Sequence, residues 1–301
     1  MERVRRLSTS SSPLSFAAFG MFSISSFLLV RFIYVFPLNP TFDWASASGS
    51  FLSLVSVAAL AFFIHMTIIW SFSQALTLFV ISILISTLAE ILGLNSGVTF
   101  GSFYCYHPDI GPQIASCLPM VIPLGWFVLC CIPLILLRPW LENPRSSTVS
   151  RVSNPGTLMT RVLFCSLLLT SFNLYLEPLF VYTRSWIWDR PGAYFGAPLT
   201  NLSGWFLVGL VIYSCFFFIQ NRWFRHAPTR SSRLDYVLIG LFLSWVFVAL
   251  VMINDKLNSL TPLWLTLIVL VPSLGFRVSK ETGKEEENTP MPVAHDSNVP
   301  G

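Results

Sequence analysis

Eight apolar runs divide the chain: Ala17 to Phe36, Phe51 to Trp70, Ala75 to Leu92, Pro119 to Leu137, Leu158 to Tyr182, Leu202 to Gln220, Tyr236 to Ile253 and Thr261 to Phe276. A run of about 20 apolar residues is long enough to cross a bilayer as a helix, whose backbone groups then pair within the segment. The last run is short and carries a proline. Ser71 to Gln74 is too short for anything but a turn, so the second and third runs form a tight helical hairpin. The pattern predicts an all-α fold, a polytopic integral membrane bundle of about eight transmembrane helices. It divides the chain into a leader over residues 1–15, a transmembrane domain over 16–278 and a polar tail over 279–301. The leader holds Arg3, Arg5, Arg6 and a Ser run; the tail holds Glu285 to Glu287 and several Pro, a composition expected to stay disordered. A cleavable signal peptide is the competing reading of the N-terminus, but the run that follows it is long enough to span.

Composition agrees with this pattern. Of 301 residues, 54% are hydrophobic and 11% charged, and the mean hydropathy is +0.68, values of a membrane protein rather than a soluble core. The 18 Lys and Arg against 14 Asp and Glu give a net charge of +4, with no basic aromatic surface of the kind that binds nucleic acid. The placement of these charges is more telling. With eight spans and both termini on one side, 14 of the 18 basic residues fall on that side, Arg184, Arg190 and Lys256 fall opposite, and Arg31 lies within a span. The positive-inside rule then predicts cytosolic termini, in the endoplasmic reticulum membrane if the source is eukaryotic. Of the six Cys, Cys130, Cys131, Cys165 and Cys215 read as packing residues; Cys105 and Cys117 share a loop and could pair in an oxidising lumen.

The polar, glycine and aromatic residues concentrate between Glu90 and Trp126 and again between Glu177 and Phe206. Each stretch has a carboxylate near the end of an apolar run, a loop with G-x-x-F-G (Gly97 to Gly101; Gly192 to Gly196) and a following run with Gly-Trp-Phe (Gly125 to Phe127; Gly204 to Phe206). This order suggests an internal duplication of parallel sense, with both carboxylates beside one central chamber on the lumenal or outer side. An aromatic belt with helix-packing glycines would give the same Gly-Trp-Phe residues without any duplication.

Common cofactor and metal signatures are missing. The chain has no G-x-x-x-x-G-K-[ST], no H-E-x-x-H and no C-x-x-C; its four His are scattered, and its Asp residues never occur as a close pair. No cofactor or metal ion is therefore expected, and a magnesium-held diphosphate has no aspartate-rich site. A lipophilic chamber with carboxylic acids and aromatic rings remains. A carboxyl group removed from water favours its neutral form and so keeps a proton to give, while aromatic faces stabilise cations by about 0.5–2 kcal/mol each.

Glu90-x-x-Gly93-x-x-x-Gly97-x-x-Phe100-Gly101-x-x-Tyr104-x-Tyr106, Gly111-Pro112 and Pro119-x-x-Ile122-Pro123-Leu124-x-Trp126 resemble the first signature of the carotenoid 1,2-hydratase family of integral membrane proteins. Asn173-Leu-Tyr-Leu-Glu177-Pro178, Trp186-x-Trp188, Gly192-x-Tyr194-Phe195-Gly196-x-Pro198-Leu199-x-Asn201 and Gly204-Trp205 resemble the second. The resemblance covers roughly residues 80 to 215. It implies acid-catalysed addition to a terminal isoprene double bond, without a redox cofactor or an ionised diphosphate. Where that family shows Asp twice in its D-L-x-L-D-P block, this chain has Asn173 and Glu177. Asn is not a base toward water, which favours a terpene cyclase relative over a hydratase.

The sequence thus predicts a membrane-bound terpenoid enzyme that protonates a terminal alkene or epoxide of a lipophilic isoprenoid, with no protein partner indicated. Glu90 is the expected acid and Glu177 its partner or the final base, with Asp189 and Tyr104 as further catalytic candidates. Asn173 and Asn201 are expected to orient an oxygen; Phe100, Tyr106, Trp126, Trp188, Tyr194, Phe195 and Trp205 are expected to contact substrate. The alternative from another class is a proton-coupled transporter or lipid carrier, with Arg31 and His65 on its path.

Overall fold

The computed structural model describes residues 44–138 and 155–224, with isolated flanking positions (17, 20, 21, 23, 24, 235, 239 and 240). Five helices form the described bundle: α1 (Trp44–Ile69), α2 (Phe72–Ser96), α3 (Val121–Leu136), α4 (Pro155–Tyr182) and α5 (Thr200–Trp223). Four stretches among the described residues are long and apolar enough to cross a membrane: Ala47–Ile69, Phe72–Ser96, Gly156–Tyr182 and Thr200–Trp223. The helix Val121–Leu136 is apolar but shorter. The second to sixth expected spans are therefore present as helices. The first lies largely, and the seventh and eighth almost wholly, outside the described residues, as do Arg31, the leader and the tail, so the count of eight belongs to the sequence pattern.

Local chemistry sets the helix ends that matter. Ser71 caps α2 by accepting from the Gln74 amide at 3.2 Å, which starts the second helix of the hairpin. At the other end Gly97 adopts φ +69° and returns its N–H to the Gly93 carbonyl at 2.8 Å, a left-handed cap that a glycine adopts without strain. Helix α3 starts late because Leu118–Pro119 pairs with Gln113–Ile114 as a short antiparallel ribbon. Pro178 lies inside α4 and has no N–H to offer the Leu174 carbonyl one turn back. The Tyr194 hydroxyl donates to that carbonyl instead, at 2.5 Å.

Two three-residue strands join the loops. Tyr104–Tyr106 (β1) runs antiparallel to Trp186–Trp188 (β2), with Tyr104 opposite Trp188, Cys105 opposite Ile187 and Tyr106 opposite Trp186. This ribbon fixes the two motif-bearing loops at one end of the bundle. In each strand the outer two residues are buried and the middle one is exposed, the period-2 alternation of a half-buried ribbon. Cys105 and Cys117 are both free thiols, and Cys215 lies exposed on α5 instead of in the core.

The opposite end of the bundle carries its own buried polar groups. Gln220 donates to Gln74 at 2.9 Å, and Asp235 lies 2.9 Å from His65 Nε2 and 2.8 Å from the Arg138 guanidinium. His65 is thus tied into a buried charged cluster far along α1 from the motif loops.

Candidate active site

Glu90 and Glu177 sit five or six residues from the loop ends of α2 and α4, roughly 8–9 Å inside at 1.5 Å per residue. Their relative exposures are 4% and 1%. Both line one cavity of ≈ 210 Å³. Its walls come from α1 (Phe51 to Ala58), α3 (Val121 to Leu129) and α4 (Tyr175 to Phe180), and its end near the loops is closed by the aromatic residues of the ribbon. Apart from the two carboxyl groups, Asn201 and the hydroxyls and indole N–H groups of its rings, the lining is apolar.

The two carboxyl groups are held by different chemistry. Glu90 Oε2 accepts from the hydroxyls of Tyr104 and of Tyr106, the latter at 2.8 Å, and Oε1 accepts from Trp126 Nε1 at 2.8 Å. Glu177 Oε1 accepts from Trp186 Nε1 and Trp188 Nε1, both at 2.7 Å, and Oε2 accepts from Asn201 Nδ2 at 2.6 Å. The amide orientation that satisfies Asn173 adds a fourth donor to Glu177 Oε2, at 3.3 Å; its carbonyl oxygen then accepts from Trp205 Nε1 at 3.2 Å and Asn201 Nδ2 at 2.8 Å. A carboxylate has about four lone-pair sites. Glu177 fills all four with N–H groups, which only donate. Glu90 fills three, two of them with hydroxyls that can also accept, and keeps one site on Oε1.

Aromatic contacts connect the two groups. Tyr104 and Trp188 lie with ring centroids 4.9 Å apart, and Trp126 stacks on Trp205 at 4.2 Å with 25° between planes. One ring of each pair serves Glu90 and the other serves the Glu177 network. Gly93, one turn after Glu90, makes room for this: a Cβ there would stand 2.8 Å from Phe100 and 3.0 Å from the Tyr104 hydroxyl. Burial, and next the charge of Glu90, push the Tyr104 phenol well above its ordinary range, and the same two causes in the same order raise Tyr106. Both hydroxyls therefore remain protonated at physiological pH and act as donors to Glu90, not as bases.

Of the expected site residues, the structure brings Glu90, Glu177, Tyr104, Phe100, Tyr106, Trp126, Trp188, Asn201 and Trp205 to the cavity wall, with Asn173 directly behind Glu177. Asp189 is not among them. It follows Trp188 on the strand, so alternation turns it outward, and it is exposed. Tyr194 serves the Leu174 carbonyl, and Phe195 (φ +50°) belongs to the tight turn bridged between Gly192 and Gly196; neither lines the cavity. The two G-x-x-F-G motifs are not equivalent: the first caps α2 and sends Phe100 inward, while the second closes that turn. In the first half the motif precedes the aromatic strand and in the second half it follows it. What the halves share is the carboxyl group, the aromatic strand and the Gly-Trp pair.

Sequence reasoning did not anticipate the apolar walls from α1 or the contributions of Tyr175 and Phe180. The uniform hydrophobicity of α1 and α4 gives no sign of which face is turned inward. Among the described residues, no group of three or more His, Cys, Asp or Glu is placed to hold a metal ion.

No solved structure matches this chain. Among curated proteins it is similar to bisanhydrobacterioruberin hydratase from Haloarcula japonica, 31% identical over 133 residues, which is 44% of this chain and 41% of the relative. The chain thus matches well under half the length of that relative. A family model described as carotenoid biosynthesis protein matches residues 48–272. The match takes in every described helix of the bundle but the first turn of α1, and this membrane protein belongs to the carotenoid biosynthesis protein family.

Proposed function

We propose that the protein is an enzyme that adds a proton to a terminal double bond, or to the corresponding epoxide, of a lipophilic isoprenoid. The observation that carries this reading is the unequal pair of buried carboxyl groups facing one apolar cavity. Glu90 has hydroxyl partners that can accept as well as donate and, among the described residues, an open site on Oε1, so it can hold a proton and release it. Glu177 is enclosed by four N–H donors, a shell complementary to the ionised carboxylate, and supplies negative charge without a proton to give. A fixed anion beside stacked indole faces stabilises a developing carbocation in an apolar site.

In the proposed step the Glu90 proton adds to the less substituted alkene carbon. The π electrons form the new C–H bond, the neighbouring carbon becomes a tertiary cation, and Glu90 becomes a carboxylate. For an epoxide the proton goes to oxygen and the C–O bond breaks. Capture by an internal double bond forms a C–C bond, and loss of a neighbouring proton to Glu90 gives a cyclic isomer. Capture by water forms a C–O bond, and the extra proton on oxygen returns to Glu90. Both outcomes regenerate the acid. The apolar walls and the saturated shell of Glu177 support internal capture; the name of the halophile relative supports water.

Membranes containing the protein, incubated with an acyclic polyene ending in an isopropylidene group, test the reading by product mass. An isomer indicates cyclisation and a gain of one water indicates hydration. No conversion of any such chain, or of its terminal epoxide, would overturn it.

A further inference from the structure

The proposed function leaves open how the cavity recognises the chain that carries the reacting end, and the two Gly-Trp pairs differ in a way that bears on this. Trp126 and Trp205 are stacked partners, but the glycines before them face different surroundings. A Cβ on Gly204 would stand 2.3 Å from the Thr99 carbonyl oxygen and 2.6 Å from Phe100, so that glycine exists for close packing of α5 on the first loop. A Cβ on Gly125 would meet nothing within 4 Å. Gly125 lines the cavity, with Val121 and Ile122 before it and Val128 and Leu129 after it on the same face of α3. These positions extend over roughly 12 Å of helix. Its four aliphatic neighbours on that wall carry branched side chains and Trp126 carries an indole, while Ala58 is the smallest lining residue contributed by α1. Among the described residues the missing side chain at Gly125 is thus not needed for any close contact, and its effect is to widen the cavity one residue from the indole that holds Glu90.

The cavity, at ≈ 210 Å³, is smaller than the ~300–1,000 Å³ of pockets that enclose whole drug-sized ligands. It suits the end of a long chain better than an entire C40 molecule. Methyl branches on that end require width at the level of the acid.

We propose that Gly125 is a specificity-determining residue: its lack of a side chain lets a methyl-branched isoprenoid end lie along α3 beside Trp126, and any side chain there narrows the cavity to unbranched chain ends. This inference rests on the proposed function for the identity of the reacting end, but it concerns binding and is measured as binding. The graded series Gly125→Ala, Gly125→Val and Gly125→Leu is purified in detergent and titrated with an acyclic C40 polyene ending in an isopropylidene group and with a straight-chain C10 alkenol that lacks the methyl branches. Binding of the polyene is read as quenching of the cavity tryptophans; binding of the alcohol is read by its competition against a straight-chain probe that carries a quencher. Affinity for the polyene should fall stepwise, reaching about 10- to 100-fold at Leu, the range that overpacking produces, while affinity for the C10 alcohol changes by less than about threefold. Equal losses for both ligands in variants that still melt cooperatively would overturn the inference, as would an unchanged polyene affinity at Leu. A wild-type protein that binds neither ligand would overturn it too. If the wild type binds the polyene and does not convert it, and the series still discriminates, the catalytic reading fails and the assignment of Gly125 stands.

Discussion

The two halves of the site are built from the same parts and yet differ in what their carboxyl groups can do. Each half presents one Glu near the loop end of a helix, one strand of the Tyr104–Tyr106 and Trp186–Trp188 ribbon, and one indole of the Trp126–Trp205 stack. The difference lies in replacing phenols by indoles. Tyr104 and Tyr106 give Glu90 partners that can reverse the direction of a hydrogen bond; Trp186 and Trp188 give Glu177 partners that cannot, and Asn173 could do so only by giving up its bonds from Trp205 and Asn201. An acid and a counter-charge can thus arise from one architecture by the choice of ring on a three-residue strand.

The largest expected effect is on the acid. Glu90→Gln should lower turnover by about 10²–10⁴-fold, the range for loss of a general acid, while the protein accumulates and melts normally. The amide keeps its fold because its N–H group can donate to a phenol oxygen. Turnover in membranes, normalised to folded protein, checks this, and near-normal activity would remove Glu90 from the mechanism.

Glu177→Gln should break the symmetry in the other direction. Its new N–H group would face indole N–H donors on one side, and on the other is paired only by turning over an asparagine amide and giving up the bonds from Trp205 Nε1 and Asn201 Nδ2, so the variant should lose about 1–3 kcal/mol of stability, the cost of a buried donor without an acceptor. Thermal melting of the two Gln variants side by side measures the contrast; equal shifts would mean that the shells do not differ in the way described here.

The carboxyl groups, the Gly-Trp pairs and the five helices were legible in the sequence because each is marked by composition: charge in an apolar run, or an apolar run of spanning length. The ribbon was not. Tyr-Cys-Tyr and Trp-Ile-Trp are too short for alternation to be recognised, and their pairing joins residues about 80 positions apart. Without that pairing nothing in the sequence separates Asp189, which alternation turns outward from the strand that carries Trp188, from the residues of the cavity wall. Tyr194 is a similar case. It lies among site residues in sequence, but its hydroxyl is engaged by the carbonyl that Pro178 leaves free.

The glycines give a contrast of similar size to that of the Gln pair. Gly204→Ala forces a methyl group to 2.3 Å from the Thr99 carbonyl and should cost about 1–3 kcal/mol by overpacking. Gly125→Ala should leave stability within about 0.5 kcal/mol, since no neighbour must move. Denaturation midpoints of the two variants decide the point. The smallest expected effect on chemistry is that of Tyr194→Phe. It should destabilise the protein by about 1–3 kcal/mol through the orphaned Leu174 carbonyl and leave turnover per folded molecule unchanged. A selective loss of turnover in a stable variant would return Tyr194 to the site.

If the reaction begins with proton transfer from Glu90 to carbon, isotope from solvent must appear in the product. Protein equilibrated in D₂O carries deuterium on Glu90, and a single turnover of an alkene substrate should put one deuterium on the carbon of the terminal isoprene unit that receives the proton, located by mass spectrometry and NMR of the purified product, with no such label from Glu90→Gln. Product that forms at the normal rate with no deuterium at that carbon would contradict it.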